Sequence, residues 1–353
     1  MLLVVKIGSN LIQTEGGDID LSFLSKLASE VKLLKERGVQ VLIVSSGAVL
    51  CGVKKLGLKE RPRELSLKQA VAGVGQAYLM HLYDMVFSNY GLFVGQALLT
   101  ADVFKDKEKL SNATQALRAM LSMGVVPVIN ENDTVAVSEI LFGDNDFLAV
   151  HTAYAIGANM LVIFSTAGGL LDHEGKVVPF VEDVSSVLPL VRGVNSSFGT
   201  GGMLSKITAT RIAVSLGLPV VITGKGDSLL EIVEGKTKGT YFKPSSKPLK
   251  EKKKVIAMME EPKGAIYIDD GAYRAIKQGK SLLPAGVLKV EGCFSRGDTV
   301  VLYNQEGFLV GKGRVNFSSE EVARVIKKKG DEVKKLLGTT KEEVVHADNL
   351  VVF

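Results

Sequence analysis

Four polar clusters punctuate a largely apolar chain, and each has residue types suited to handling an anionic or zwitterionic ligand. Lys6-Ile7-Gly8-Ser9-Asn10 ends the first apolar run, where a lysine beside a glycine turn can meet a phosphate with backbone N–H groups nearby. Ser45-Ser46-Gly47-Ala48 ends the second and opens a helix. Its small side chains let a ligand approach the backbone and a helix N-terminus, which favours anions. Asn130-Glu131-Asn132-Asp133 follows another apolar run, and Gly143-Asp144-Asn145-Asp146 opens a helix a short loop later. Carboxylates there can meet an ammonium and amides a carboxylate, as a zwitterionic ligand requires. Finally, Phe198-Gly199-Thr200-Gly201-Gly202-Met203-Leu204-Ser205-Lys206 runs from a Gly-rich loop into a helix and a lysine, a recipe for holding phosphates.

Each cluster alone has a plainer explanation: a strand-end lysine, a serine cap, or an Asx-rich turn. The acidic pair also resembles part of a calcium loop, but the twelve-residue pattern ending in Glu is absent. The chain contains no G-x-x-x-x-G-K-[ST] loop, and the Gly-rich segment is no dinucleotide fingerprint after a strand. In combination, two lysines and two Asp/Asn patches match phosphoryl transfer, which depends mainly on positioning and charge neutralisation. His81, His151, His173 and His346 show no ligand spacing, and no Ser-His-Asp or Cys-His set supports hydrolysis.

These clusters need a scaffold that brings strand ends together. Leu2–Ile7 reads as a strand, and Leu21, Leu24, Leu27, Ala28, Val31 and Leu34 recur at helical spacing behind a cap at Asp20. Val39–Val44 returns as a strand. Helices then follow at Ser66–Ser88, Asn112–Ser122, Asp146–Ile156 and Gly202–Leu216, and strands at Phe93–Leu99, Val125–Ile129, Met160–Phe164 and Pro219–Thr223. Apolar strands separated by helices predict an open, mostly parallel α/β sheet sandwiched between helices, with ligands beyond the strands' carboxyl ends. The charged stretch from Lys247 to Lys254 lacks periodicity and reads as a linker. Beyond it, short strands at Gly264–Ile268, Gly286–Val290, Thr299–Tyr303, Phe308–Val315 and Leu350–Phe353, with one amphipathic helix near Ser318–Leu337, predict a small β-rich domain.

The 353 residues are 46% hydrophobic and 23% charged, enough for a sizeable core in two or three domains. No run of eighteen apolar residues suggests a membrane span, and the N-terminal run is too short for a secretory signal. Cys51 and Cys293 are far apart and imply neither a disulfide framework nor a thiolate metal site. The expectation is a soluble cytoplasmic protein. A net charge of +5 tolerates anionic ligands without marking a committed nucleic-acid binder.

In this order the clusters resemble the amino acid kinase family, over essentially the whole chain. The telling pieces are Val4-Val5-Lys6-Ile7-Gly8-Ser9, Val44-Ser45-Ser46-Gly47-Ala48, Val128-Ile129-Asn130-Glu131-Asn132-Asp133, Gly143-Asp144-Asn145-Asp146 and Gly199-Thr200-Gly201-Gly202-Met203. The Asn-Glu-Asn-Asp and Gly-Asp-Asn-Asp pair is similar to the glutamate-phosphorylating members rather than to acetylglutamate, uridylate or aspartate kinases. Ser281-Leu282-Leu283-Pro284-Ala285-Gly286-Val287 and Gly292-Cys293-Phe294-Ser295-Arg296-Gly297-Asp298 resemble a PUA domain, a small β-barrel-like fold. The implied layout is a kinase domain over residues 1–246, a linker over 247–262 and a PUA-like domain over 263–353.

The resemblance implies ATP-dependent phosphorylation of the γ-carboxylate of L-glutamate to L-glutamyl 5-phosphate, the first step of proline synthesis. ATP would be the co-substrate, with Mg²⁺ bridging its phosphate oxygens and no metal held by protein side chains alone. Lys6 and Lys206 would contact the transferring phosphoryl group, and Asp146 would hold both lysines. Ser46, Gly47, Asn130, Asp133 and Asn145 would bind glutamate, whose carboxylate is itself the nucleophile. Ser165, Thr166, Thr200, Gly201, Gly202, Met203, Leu204 and Ser205 would join Lys6 and Lys206 around ATP. Relatives commonly carry Thr-Asp where this chain has Ser165-Thr166, which removes an acidic contact to the nucleotide. Ala347 likewise replaces a common arginine. A homodimer or homotetramer is implied, and feedback inhibition by proline is a question the family raises.

Two rival readings remain at this level. An aspartate or acetylglutamate kinase would use similar chemistry, although the Asn/Asp-rich region favours a free amino group on the substrate. An RNA-binding module is the other, but the second domain shows nearly balanced charge and no series of stacking aromatics. Lys252–Lys254 and Lys327–Lys329 read as solvated faces.

Overall fold

Strands rich in Val, Ile and Leu form where the sheet is covered on both faces, and the amphipathic segments between them become the covering helices. A computed structural model of the protein describes residues 1–14, 16–136, 145–191 and 202–353. The chain divides into two compact units, Met1–Ser246 and Lys247–Phe353.

In the first unit, eight described strands make one sheet. They are β1 (Leu2–Ile7), β2 (Gln40–Ser45), β3 (Val94–Leu99), β4 (Val126–Glu131), β5 (Met160–Phe164), β6 (Phe180–Val181), β7 (Val220–Thr223) and β8 (Thr240–Phe242). Their order is β3-β4-β2-β1-β5-β7-β8-β6, and all neighbours run parallel except β7 and β8. The helices are α1 (Leu21–Glu36), α2 (Ala48–Lys55), α3 (Leu65–Ser88), α4 (Lys107–Ser122), α5 (Asn145–Ile156), α6 (Met203–Ser215) and α7 (Leu229–Val233). From β1 the chain goes to β2 on one side, and later it places β5 on the other. That reversal makes the carboxyl end of β1 a topological switch point, where open α/β sheets hold ligands. Lys6 lies there, in register with Val44 and Ile163.

One core packs Leu3, Val5 and Ile7 with Phe23, Leu24 and Val31 of α1 and Leu79, Tyr83 and Phe87 of α3. The Phe23 ring meets Phe164 edge-on, with centroids 5.6 Å apart. Each fully buried aliphatic side chain of this kind contributes about 1.5–3 kcal/mol of transfer free energy. Two glycine positions set the geometry near the strand ends. Gly47 takes φ +111 to turn β2 into α2, and a Cβ there would stand 2.3 Å from Ile12 Cδ1. Gly75 lets α3 lie backbone against backbone on α2, since a Cβ would come within 1.8 Å of the Ala48 carbonyl oxygen.

The second unit holds α8 (Glu251–Met258), β9 (Pro262–Ile268), α9 (Asp270–Lys277), β10 (Val287–Gly292), β11 (Thr299–Tyr303), β12 (Leu309–Val315), α10 (Ser319–Val325), α11 (Gly330–Leu337) and β13 (Val345–Val352). Its sheet order is β10-β9-β11-β12-β13, with β9 and β11 parallel and the other neighbours antiparallel. Three features depart from the sequence reading. The stretch expected as linker contains α8, which buries Ile256, Ala257 and Met258, leaves Lys252 exposed and half-buries Lys253 and Lys254. The single amphipathic helix is two. Its break falls where Lys327 takes φ +63 and its N–H donates to the Pro284 carbonyl. The unforeseen α9 starts at Asp269, whose carboxylate accepts from the Ala272 N–H. No described helix is long and apolar enough to cross a membrane.

Each unit has its own buried apolar residues, those of the second including Ile266, Ile268, Val300, Leu302, Val310 and Phe317. A chain ending at Ser246 should therefore unfold in one cooperative thermal transition by circular dichroism. A truncated chain lacking any cooperative transition would contradict this division.

Candidate active site

Strand alternation sends Leu3, Val5 and Ile7 into the core beneath α1 and α3, so Lys6 projects from the other face of the sheet. There its Nζ lies 2.5 Å from Asp146 Oδ1, at the first turn of α5. Lys206 reaches the same carboxylate from the first turn of α6, with Nζ 3.1 Å from Asp146 Oδ2. Asp146 is completely buried, and Lys6 and Lys206 are only 2% and 7% exposed. Burial pushes the Asp146 carboxyl up, but the two ammonium groups outweigh burial and hold it below the ordinary carboxylate value. Two lysines held side by side are suited to a polyanion such as a phosphate chain.

Asn145, the residue before Asp146, belongs to a second group of contacts. Its Nδ2 donates to the Ser45 carbonyl at 2.7 Å, to Ser46 Oγ at 2.9 Å and to Asn130 Oδ1 at 2.8 Å. Asn130 Oδ1 also accepts from the Glu131 N–H at 2.9 Å, and its Nδ2 donates to Gln76 Oε1 at 2.8 Å. The Ser46 N–H is anchored on the Ile7 carbonyl at 3.0 Å, tying β2's end to β1's. Ser46, Gly47, Asn130 and Asn145 thus gather at the ends of β1, β2 and β4, as the sequence suggested.

Beside them lies an anionic patch. Burial and the charge of Asp133 push the Glu131 carboxyl up to about 7, with Lys68 acting the other way. Asp133 is also raised by burial, again opposed by Lys68. A cation placed beside either carboxyl, such as an ammonium group, would favour its charged form. Glu131 was visible in its motif, but nothing local distinguished it from its neighbours.

On the other flank, Gly202 is the N-cap of α6, and Met203, Leu204 and Ser205 form its first turn. Buried Ser165 follows β5, with its N–H on the Thr223 carbonyl at 2.6 Å, and Thr166 beside it is exposed. Thr200, Gly201, Gly143 and Asp144 lie outside the described residues. Sequence reasoning missed the bracing of the loop after β7. Asp227 Oδ2 accepts from Thr223 Oγ1, Thr237 Oγ1 and the Lys238 N–H at 2.7, 2.7 and 2.9 Å. Lys225 Nζ donates to Asp20 Oδ2 at 2.7 Å and to the Gln13 carbonyl at 2.8 Å. The two Lys225 contacts span 212 and 205 residues, so no local motif marks them.

Residues 1–224 match the amino acid kinase family, and residues 264–337 match the PUA domain. The chain is 60% identical over 355 residues to a glutamate 5-kinase of Aquifex aeolicus, covering 100% of both chains. It is 43% identical over 360 residues to a glutamate 5-kinase of Thermus thermophilus, covering 99% of this chain and 96% of the relative. Among solved structures, carbamate kinase from Giardia lamblia bound to AMP-PNP superposes with a TM-score of 0.52 at 15% identity. That match covers 69% of this chain and 98% of the other, and it establishes a shared fold.

Replacing Asp146 by Asn should cost about 3–5 kcal/mol, because two buried ammonium groups lose their counter-charge. Urea unfolding at neutral pH measures the loss. The sign with pH is defined: a carboxyl held low in the fold adds stability above its unfolded value, near about 3.9, and loses it as pH falls through the folded value. The Asp146→Asn chain should therefore show a flatter acid limb than the parent.

Proposed function

The chain belongs to the amino acid kinase family, and from that premise we infer that it transfers the γ-phosphoryl group of ATP to the γ-carboxylate of L-glutamate. The product is L-glutamyl 5-phosphate, and the reaction is the first step of proline biosynthesis. The observation that carries this reading is the buried Asp146 carboxylate holding Lys6 and Lys206 beside the Asn145 network.

The attacking group is the substrate's own carboxylate, already ionised at neutral pH, so the protein supplies neither a nucleophile nor a base. Lys6 and Lys206 neutralise charge on the transferring phosphoryl oxygens, and Asp146 fixes their spacing without touching substrate. Ser46, Gly47, Asn130 and Asn145 bind the carboxylate end of the amino acid, and Asp133 with Glu131 receives its ammonium. Gly202 and the α6 N-terminus, with Thr200 and Gly201, wrap the nucleotide phosphates, and Ser165 and Thr166 lie toward the nucleoside. Among the described residues no cluster of three or more His, Cys, Asp or Glu side chains could hold a metal ion. Mg²⁺ belongs to this proposal as a partner of the ATP phosphates, where it would neutralise oxygen charge. Homo-oligomerisation, feedback inhibition by proline and a cytoplasmic location belong to the same proposal, and the PUA domain is not assigned RNA binding as its main role.

The test is ATP turnover with glutamate, aspartate and N-acetylglutamate, trapping the acyl phosphate as a hydroxamate. Glutamate should be strongly preferred, and preference for N-acetylglutamate would overturn the reading. Lys6→Ala and Lys206→Ala should each lower kcat by about 100-fold or more, the usual scale for a lost transition-state contact. Asp133→Ala should raise KM for glutamate roughly 10- to 100-fold, as for a lost charged hydrogen bond, with KM for ATP little changed. A selective loss of ATP affinity would reverse the assignment of the two halves.

A further inference from the structure

We infer that Gln76 of α3 is a positioning residue for the amino-acid half of this site, acting through Asn130; the inference rests on the glutamate-kinase reading above. Backbone groups fix the amide orientations. The Glu131 N–H can only donate, so the Asn130 atom facing it at 2.9 Å is Oδ1. Likewise the Ser45 carbonyl can only accept, so the Asn145 atom facing it at 2.7 Å is Nδ2. Asn130 consequently presents Nδ2 to Gln76, and the Gln76 atom receiving it at 2.8 Å is Oε1. Turning the Asn130 amide over would set its NH₂ against two donors, the Glu131 N–H and Asn145 Nδ2. Gln76 Oε1 rewards only the unturned state.

Gln76 is well placed for this task. It is 8% exposed, and the neighbouring Gly75 seats α3 directly on the start of α2, where Ser46, Gly47 and Ala48 lie. Tyr83, seven residues on and so on the same face of the helix, brings its hydroxyl within 3.0 Å of Ser45 Oγ. One helix thus supports both strand ends from behind. Gln76 Nε2, meanwhile, is buried and has no hydrogen-bond partner among the described residues. Exchange of the amide for an apolar group of similar length therefore removes one hydrogen bond only, the one to Asn130.

That asymmetry separates a positioning role from a structural one. Gln76→Met should keep its melting temperature within a few degrees of the parent, because it also removes an unsatisfied buried donor. It should nevertheless raise KM for glutamate about tenfold or more, with KM for ATP changed less than about twofold. In an Asn130→Ala background the same substitution should add less than about twofold, because the side chain it acts through is gone. The rise in melting temperature produced by glutamate reads binding without turnover, and should weaken in parallel. If Gln76→Met aggregates, Gln76→Ala takes its place in the same measurements. Unchanged glutamate KM, or equal effects with and without Asn130, would overturn the inference while leaving the parent's glutamate turnover intact. A parent enzyme inactive on glutamate would instead overturn the functional reading and this inference with it.

Discussion

Two ammonium groups held side by side and away from water repel each other and lack solvation, and a single fully buried carboxylate between them is what makes their position tenable. Asp146 is that carboxylate, and much of the fold can be understood as a means of delivering it. β1 brings Lys6 to the switch point, α6 brings Lys206 and α5 brings Asp146, three elements remote in sequence. Both lysines thereby stand at the carboxyl end of the sheet, where a phosphate group could meet them.

Two groups of charged residues flank the amide network. Lys6 and Lys206 stand where β1 meets α6, and Glu131 and Asp133 stand at the end of β4, their carboxyls pushed up by burial. In the proposed reading the ammonium of the amino acid lies toward Glu131 and Asp133 and its nucleophilic carboxylate toward the lysines. Between the poles stands an uncharged amide lattice of Asn130, Asn145 and Ser46, which supplies direction where the charged groups supply attraction.

Much of this was legible in the residues, for reasons that can be named. Met160–Phe164 reads as a strand and is one, because a central parallel strand buried on both faces must be apolar throughout. Lys6, Ser46, Asn130, Asn145, Asp146 and Lys206 stood out only in combination, because each cluster alone had a plainer reading and all four in one order matched phosphoryl transfer. β6 and β8 escaped notice because two or three residues cannot display a period. The helix break at Lys327 was hidden because a left-handed lysine leaves no mark in composition. Gln76 went unseen for a different reason. It sits inside an apolar helical run, and its partner Asn130 is 54 residues away, so only folding reveals the pair.

Asn145 and Asp146 are consecutive residues in one helical turn, one bonded into the amide lattice and the other into the lysine pair. A rigid turn cannot tilt one without tilting the other. In the proposed reading the nucleotide and the amino acid lie on its two sides, and thermodynamic linkage makes any coupling between them through this turn reciprocal. Whatever factor a nucleotide applies to the amino acid's affinity, the amino acid must apply to the nucleotide's. The peptide bond between residues 145 and 146 is thus the covalent link between the amide network and the lysine pair.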